Sequence, residues 1–383
     1  MYEFKGLQDA YFLVLYGCAT MYAVVAGCYL LWRRGNAFST EVNSSPELRL
    51  WAASFMAAVV GSHVWWAVLD VDLFIDDPFV GRTLGVILDR VAFIPLMMIL
   101  LLRMLQDRRR PLWPVLLATI PELLLPVVGF ITRNPDTEFY TEVYTVLLIA
   151  GFAVWLVIAV RQYDRWLRDN YADLENKEVW QSLLLQSFLM LTFVFYFTTH
   201  NDIFTEYVVQ LLNFLIVSFV LWRVETLQEL NAEGDSDAAD GTQTAPVFQT
   251  DALDGKGENL GRLSSTALTT TITRLLREHC EEPRLYLRHD LTLAQLAEAV
   301  GTNRTYLSQY FAQQGITYNA YINRLRIDHF VELYRDATGR PQPSGSTVTA
   351  QSLAWQSGFK SYSTFGVAFK RFIGQTVSEW MKG

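Results

Sequence analysis

The sequence predicts an all-α protein built from two dissimilar parts joined by a tether. Three observations support this class: long apolar segments fill the first 224 residues, an acidic stretch rich in Gly and Asp follows, and short helical patterns return near residue 262. Apolar residues make up 51% of the 383-residue chain, which is high for a protein that is soluble throughout. We therefore expect a seven-helix bundle at 1–224, a flexible acidic linker at 225–261 and a compact helical domain at 262–383.

Seven segments of the first part are long and apolar enough, or nearly so, to cross a bilayer as helices. A helix needs about 20 apolar residues to span the hydrocarbon core. The predicted spans are Tyr11–Trp32, Leu50–Asp70, Thr83–Leu102, Leu112–Phe130, Val143–Val160, Ser182–Thr199 and Thr205–Trp222. The acidic stretch MYEFKGLQDA precedes the first span, so we expect a retained span and not a cleaved signal peptide.

Positive charges are distributed unequally between the connections of these spans. The first, third and fifth connections hold eleven arginines and lysines. The N-terminal tail and the remaining connections hold three, namely Lys5, Arg82 and Arg133. Because basic connections stay in the cytoplasm, the N-terminus is expected outside the cell membrane and the C-terminus, after seven crossings, in the cytoplasm.

The tether separates two parts of unlike charge. Residues 225–258 carry one basic and nine acidic side chains, whereas residues 259–383 carry fourteen basic and nine acidic ones. A stretch dominated by Asp, Gly, Ala and Thr is expected to be solvated and flexible. Its negative charge should repel anionic lipid headgroups and DNA phosphates alike.

Two helix pairs, each with a tight turn between its helices, are predicted after the tether. In the first, Thr292 and Asn303 cap successive helices on either side of Gly301. The second helix of that pair exposes Arg304, Thr305, Ser308 and Gln309. A long helix begins at Tyr318, and after a Gly/Pro/Ser-rich loop the pattern recurs in SLAWQSGF and KSYSTFGVAFKRFIG. A repeated pair of this kind, in the net basic part of the chain, predicts nucleic-acid binding.

The C-terminal third, from about Ala267 to Gly383, closely resembles the DNA-binding domain of the AraC/XylS family of bacterial transcription regulators. The resemblance is carried by LTLAQLAEAVGTNRTYLSQYF, by GITYNAYINRLR and by SLAWQSGFKSYSTFGVAFKRFIG. It implies two helix-turn-helix units whose recognition helices enter successive major grooves on one face of DNA, about 34 Å apart.

The resemblance also implies which residues contact DNA. In the first recognition helix they are Arg304, Thr305, Ser308 and Gln309. In the second, Tyr362, Ser363, Thr364, Gly366 and Val367 are placed for bases, and Ser361, Lys370 and Arg371 for phosphates. Ser, Thr and Gln can bond base edges, while Lys and Arg fix the register on the backbone. The chain departs from the family pattern at Phe330, Val367, Val377 and Met381 and in its longer loop, which leaves single contacts of the second helix open.

Four polar residues lie at a similar depth in the predicted spans. Counted from the outer ends, His63, Arg90, Glu122 and Asn213 are about 7–8 residues deep, or about 10–12 Å. Polar residues inside spans are costly and usually functional. One hypothesis is a ligand cavity in the outer half of the bundle, rimmed by Trp65, Trp66, His200 and Asp202. The other is a purely structural Arg90–Glu122 bridge that pins the helices together.

These observations predict a one-component transcription regulator, multi-pass in the bacterial inner membrane, that binds promoter DNA sequence-specifically under the control of a transmembrane sensory bundle. Double-stranded promoter DNA and the lipid bilayer are the predicted partners, and RNA polymerase, a small ligand and a second copy of the chain are further candidates. The first half carries no recognised catalytic motif, so we expect neither enzyme activity nor a metal or cofactor. Three cysteines without metal-ligand spacing agree with that expectation.

Two alternatives stay open at this stage. The chain could be a small-molecule transporter or membrane enzyme that carries a regulatory DNA-binding tail. It could also be a constitutive regulator whose bundle serves only as an anchor. The route of a signal is open too, between a movement of the seventh span and proteolytic release of the DNA-binding domain.

Overall fold

The computed structural model describes residues 7–38, 42–70, 78–134, 136–185, 187–188, 203–230, 268–339 and 349–382. This part of the chain is helical and contains no strand, only an isolated antiparallel bridge between Tyr171 and Thr292. The chain divides into two compact units. Unit 1 comprises Met1–Asp164 and Asn176–Leu230, and unit 2 comprises Arg165–Glu175 and Asn231–Gly383.

Among the described residues, six long helices begin in unit 1. They are α1 (Leu7–Trp32), α2 (Pro46–Asp70), α3 (Pro78–Met104), α4 (Trp113–Thr132), α5 (Asp136–Asn170) and α6 (Ile203–Thr226). Each contains a segment long and apolar enough to cross a membrane by length and composition. These helices correspond to six of the seven predicted spans. The span predicted at Ser182–Thr199 falls mostly outside the described residues, so the count of seven stays a prediction.

The surface of unit 1 carries many large apolar side chains. Val14, Leu147 and Ile131 are between 64% and 74% exposed, and they sit in the middle or at the end of long apolar helices. Extensive exposed apolar surface of this kind marks contact with lipid or with another protein. It is consistent with helices that face hydrocarbon along one side.

The boundary between unit 1 and the predicted linker differs from the expectation. Glu225 is fully buried, and its carboxylate lies 3.1 Å from the Nε of Arg33 and accepts a hydrogen bond from the hydroxyl of Tyr29. Leu227 is buried as well. The first residues of the predicted linker therefore belong to the packed end of α6, because an ion pair neutralises the acidic side chain. Residues 231–261 lie outside the described residues.

Unit 2 contains the helices of the C-terminal part. A helix at 268–276 continues into a π-helical turn, Arg277–Glu281, and a short 3-10 helix, Leu285–Leu287. The later helices are α7 (Leu293–Val300), α8 (Arg304–Gln313), α9 (Tyr318–Gly339), α10 (Ala350–Gln356), α11 (Tyr362–Ile373) and α12 (Val377–Trp380).

Two hydrophobic cores lie along α9. The first gathers Leu296, Phe311 and Ile322, and the second gathers Phe365 and Phe330 together with neighbouring apolar residues. Phe330 departs from the family pattern, and in this chain it is fully buried with its ring centroid 4.5 Å from that of Phe365. The bulky side chain of Phe330 is thus accommodated by aromatic packing in the second core.

Arg326 on α9 connects the two cores. It is 1% exposed, and its guanidinium donates to the carbonyl oxygens of Tyr286 at 2.8 Å and Arg288 at 2.6 Å. The guanidinium carbon also lies 5.7 Å from the ring centroid of Phe359, which precedes α11. One side chain of α9 therefore contacts both the segment before α7 and the segment before α11.

Candidate nucleic-acid interface

The first helix pair of unit 2, α7 and α8, is defined by local capping chemistry. The hydroxyl of Thr292 accepts from the backbone N–H of Gln295, and the Gln295 side chain accepts in return from the backbone N–H of Thr292. This capping box starts α7. Gly301 ends α7 with φ of 73°, a left-handed conformation that glycine adopts readily, and the Asn303 side chain caps α8. The predicted caps and turn are confirmed.

The face of α8 that points away from the core is polar, as the sequence predicts. Leu307 and Phe311 are buried, whereas Thr305 and Gln309 are exposed and Arg304 and Ser308 are partly exposed. The spacing of Thr305, Ser308 and Gln309 places them on one side of the helix. These side chains supply hydroxyl and amide groups that can donate to and accept from base edges.

The second pair, α10 and α11, repeats the arrangement. Thr349 caps α10 and Ser361 caps α11 through hydrogen bonds from the backbone N–H three residues ahead. Gly358 lies in the turn with φ of 89°. A Cβ atom at Gly358 would come within 2.9 Å of the Cα and the carbonyl oxygen of Leu287. Glycine is required here both by the backbone conformation and by the close approach of another segment.

The second helix of this pair, α11, exposes a mixed polar and apolar face. Phe365 and Phe369 are buried, and Val367 is 71% exposed. The exposed residues also include Tyr362, Ser363, Lys370 and Arg371. The hydroxyl of Ser361 accepts from the N–H of Thr364 at 3.2 Å and donates to the hydroxyl of Thr364 at 3.1 Å. Ser361 is therefore the N-cap of α11 and Thr364 is its hydrogen-bond partner, which the family pattern alone did not reveal.

The predicted polar layer of unit 1 is brought together only in part. Arg90 Nη1 lies 3.6 Å from a carboxylate oxygen of Glu122, which is fully buried and also accepts from the Thr145 hydroxyl at 2.8 Å. His63 is buried, with Nε2 2.9 Å from the side-chain oxygen of Gln210. Asn213 lies one turn further along the same helix. Of the predicted rim, His200 and Asp202 fall outside the described residues.

Two further polar contacts in unit 1 were missed by the sequence analysis. Asp89 accepts hydrogen bonds from the Ser62 hydroxyl and from the Trp66 indole N–H, each at 2.6 Å. Gln210 pairs with His63, as described above. Asp89 and Gln210 are polar residues inside predicted apolar spans, as are the four residues of the predicted layer. A search for every polar residue in the spans would have found them.

Comparison with known proteins supports a helix-turn-helix domain in unit 2. A family described as "Helix-turn-helix domain" matches residues 296–383. An uncharacterized HTH-type transcriptional regulator of Staphylococcus aureus strain MRSA252 is 29% identical over 102 residues. A second such regulator, of strain COL, is 28% identical over the same length. Each of these alignments covers 26% of this chain and 12% of the relative. No solved structure gives a significant match.

The family match concerns the C-terminal part of the chain. Residues 296–383 are similar to a helix-turn-helix domain, and the matched relatives are named as transcriptional regulators, so together they support a DNA-binding regulator.

Gly358 offers a test of the second helix pair. Gly358→Ala should destabilise the region of α10 and α11 by about 2–5 kcal/mol, because a left-handed residue gains a Cβ that must displace backbone. Gly374→Ala is the matched control, since Gly374 has φ of 86° but no atom within 4 Å of its added Cβ. It should cost about 1–2 kcal/mol. Hydrogen exchange of amides 353–369 in the full-length chain measures both losses, and equal losses would contradict the importance of the Leu287 contact.

Proposed function

We propose that this protein is a one-component transcription regulator that stays anchored in the bacterial inner membrane while unit 2 binds promoter DNA sequence-specifically. One observation carries the proposal. Two capped helix pairs with exposed polar faces, in a region that matches a helix-turn-helix domain, share a chain with six helices fit to cross a membrane. The AraC-type motifs assign α8 and α11 as the recognition helices of a double helix-turn-helix domain.

Base contacts in this proposal come from the exposed faces of α8 and α11. On α8, Gln309 is the strongest candidate for a specific contact, because an exposed amide can form two hydrogen bonds with adenine in the major groove. On α11, Val367 takes the place of a polar residue. Its exposed side chain suits an apolar contact with a thymine methyl group, so the departure from the family pattern predicts an A·T pair at that position.

Phosphate contacts come from the basic side chains around α11. Lys370 and Arg371 are exposed in its last turns. Lys360, just before α11, lies 3.8 Å from the carboxylate of Asp290 in a weak, largely exposed ion pair that a phosphate can replace. Such contacts add affinity without sequence preference and make binding fall with salt concentration.

Two substitutions separate base contacts from phosphate contacts. Gln309→Ala should relax the preference at one base position by about 1–3 kcal/mol, because the amide is lost at a single base pair. Lys370→Ala should weaken binding to all sequences similarly and reduce the salt slope by about one. Genome-wide mapping of DNA bound by the intact protein, followed by titration of selected duplexes at several salt concentrations, measures both. A uniform loss for Gln309→Ala would remove it from the base-contacting set.

The orientation of the chain follows from the positive charges of its connections. The first, third and fifth connections are rich in arginine, so the proposal places unit 2 in the cytoplasm, where promoter DNA is found. A seventh span at 182–199 is required for this arrangement if the N-terminus lies outside.

Cysteine labelling tests this orientation. In a background without native cysteines, Gly383→Cys should react with a membrane-impermeant maleimide only after the inner membrane is opened. Asp136→Cys, at the first residue of α5, should react in intact spheroplasts, because the connection that leads into α5 is predicted on the outer side. Labelling of Gly383→Cys in intact spheroplasts would refute the proposed function, since unit 2 would then be separated from DNA.

Sensory control is proposed to act through the buried polar groups of unit 1. Glu122 is fully buried, with one carboxylate oxygen bonded to Thr145 and the other without a hydrogen bond, and Arg90 lies beside it. A buried charge pair that is incompletely hydrogen-bonded is costly for stability alone. This supports a role in receiving a charged ligand or in switching between two helix arrangements.

Neutralising Glu122 tests that role. Glu122→Gln should change expression from a promoter identified in the mapping experiment by about threefold or more, because the charge pair with Arg90 is lost. Glu138→Gln, on an exposed position of α5, is the matched control and should leave expression unchanged. Unchanged expression together with a lowered melting temperature would assign the Arg90–Glu122 pair a purely structural role.

A further inference from the structure

Unit 2 includes a segment that lies far from the rest of it in the sequence. Residues Arg165–Glu175, called the insert below, belong to this unit although they follow the apolar part of α5. The insert comprises the last residues of α5, which ends at Asn170, and the turn that follows. Neither the family pattern nor the helical periodicity of the sequence predicts that this segment packs with the helix-turn-helix region.

The insert is held in unit 2 by hydrogen bonds to its backbone and by the buried side chain of Ala172. Ala172 is 1% exposed and belongs to the first hydrophobic core of unit 2. Its carbonyl oxygen accepts hydrogen bonds from the side-chain amides of Asn319 at 2.6 Å and Asn323 at 3.3 Å, both near the start of α9. Asn319 also donates to the carbonyl of Tyr171 at 3.3 Å. These contacts form a specific binding site for residues 171 and 172.

The insert also contacts the N-terminal ends of both helices of the first pair. Tyr171 forms the antiparallel bridge with Thr292, the residue that caps α7. The side-chain oxygen of Asn170 accepts a hydrogen bond at 2.9 Å from the Nε of Arg304, the first residue of α8. The insert thus engages the cap of one helix and the first side chain of the next.

These two helix ends are where a helix-turn-helix unit meets DNA. The recognition helix contacts base edges with its N-terminal residues, and the helix before it crosses the sugar–phosphate backbone. An insert that engages Thr292 and Arg304 lies on this part of the surface. Arg304 cannot donate the same N–H to Asn170 and to an acceptor on DNA.

Charge also favours a competition between the insert and DNA. Burial raises the pKa of Tyr171, and the positive charge of the nearby Arg304 opposes part of that rise. The side-chain oxygen of Asn170 therefore takes the place on Arg304 that an oxygen of a phosphate or a base would otherwise occupy.

We propose that the insert is an autoinhibitory clamp, which covers the N-terminal ends of α7 and α8 and withholds Arg304 from DNA until it is displaced. The clamp rests on the proposed function of unit 2 in DNA binding. It adds a route for regulation, because the insert is the direct continuation of α5, a helix with a membrane-capable segment. A shift or rotation of α5 would pull on the insert without any movement of α6 and without proteolysis.

A reversible cross-link tests the clamp. Residues paired across an antiparallel bridge have Cα atoms about 4.5–5.5 Å apart, which suits a disulfide. The double variant Tyr171→Cys/Thr292→Cys is prepared with Cys18 and Cys28 changed to Ala, in full-length protein in nanodiscs of phosphatidylethanolamine and phosphatidylglycerol. Cys280 stays, because it is fully buried and burial raises the pKa of its thiol to about 12, so it does not compete for oxidation.

The probe is a pool of duplexes selected from a random library by the reduced protein. The oxidised double variant should bind these duplexes at least about tenfold more weakly than the reduced form, because Arg304 and the end of α7 stay covered. Reduction should restore binding, and each single cysteine variant should bind equally in both states. Equal binding by the cross-linked and reduced forms would overturn the clamp, as would failure of the two cysteines to cross-link.

A second variant makes the test independent of the cross-link. Asn170→Ala should bind the selected duplexes about three- to tenfold more tightly than the wild type, because Arg304 loses its partner in the insert. Gln162→Ala, an exposed amide earlier on α5, is the matched control and should bind like the wild type. Unchanged or weaker binding by Asn170→Ala would overturn the clamp and make the insert a permanent support. If the wild type selects no duplex at all, the proposed function itself fails, which is a distinct outcome.

Discussion

Unit 2 depends on one buried guanidinium. The side chain of Arg326 bonds carbonyl oxygens before α7 and packs on the Phe359 ring before α11, so it links the two helix pairs through α9. Burial lowers the pKa of Arg326 to about 10, which still leaves it charged near neutral pH. Removing a buried charge that satisfies several carbonyls leaves those groups unpaired, at about 1–3 kcal/mol each. The separation of α8 and α11 is therefore set by packing along α9, since both helix pairs are anchored to the same side chain.

The elements that could be predicted from the sequence are those that local chemistry determines. Thr292, Gly301 and Asn303 define the start, turn and cap of the first pair through hydrogen bonds within a few residues, so their roles are visible in the sequence. The polar face of α8 is predictable for the same reason, because helical spacing fixes which side chains share a face. In unit 1, length and apolar composition were sufficient to find six helices.

What could not be predicted depends on contacts between distant residues. The depth of each residue in its span correctly predicted that Arg90 and Glu122 are neighbours. It also predicted Asn213 near His63, whereas the structure pairs His63 with Gln210. Depth alone does not determine how a helix is rotated about its axis. The buried carboxylate of Glu225 resembled a linker residue until its partner Arg33 was known. The binding of Ala172 depends on the side-chain amides of Asn319 and Asn323, about 150 residues further along the chain. No periodic sequence pattern predicts such a pairing.

The insert is bound within one chain, which changes what its few contacts can achieve. A segment of the same chain is present near its binding site at an effective concentration in the millimolar range. Hydrogen bonds worth about 1 kcal/mol each are therefore sufficient to keep the insert bound. Specific DNA gains about 4–10 kcal/mol over non-specific DNA. The cost of displacing the insert would be subtracted from specific and random sites alike, so the proposed clamp would lower the affinity for both by the same factor. At a fixed protein concentration, random DNA would then lose its bound protein before a matched promoter does, because only the promoter has free energy of binding to spare.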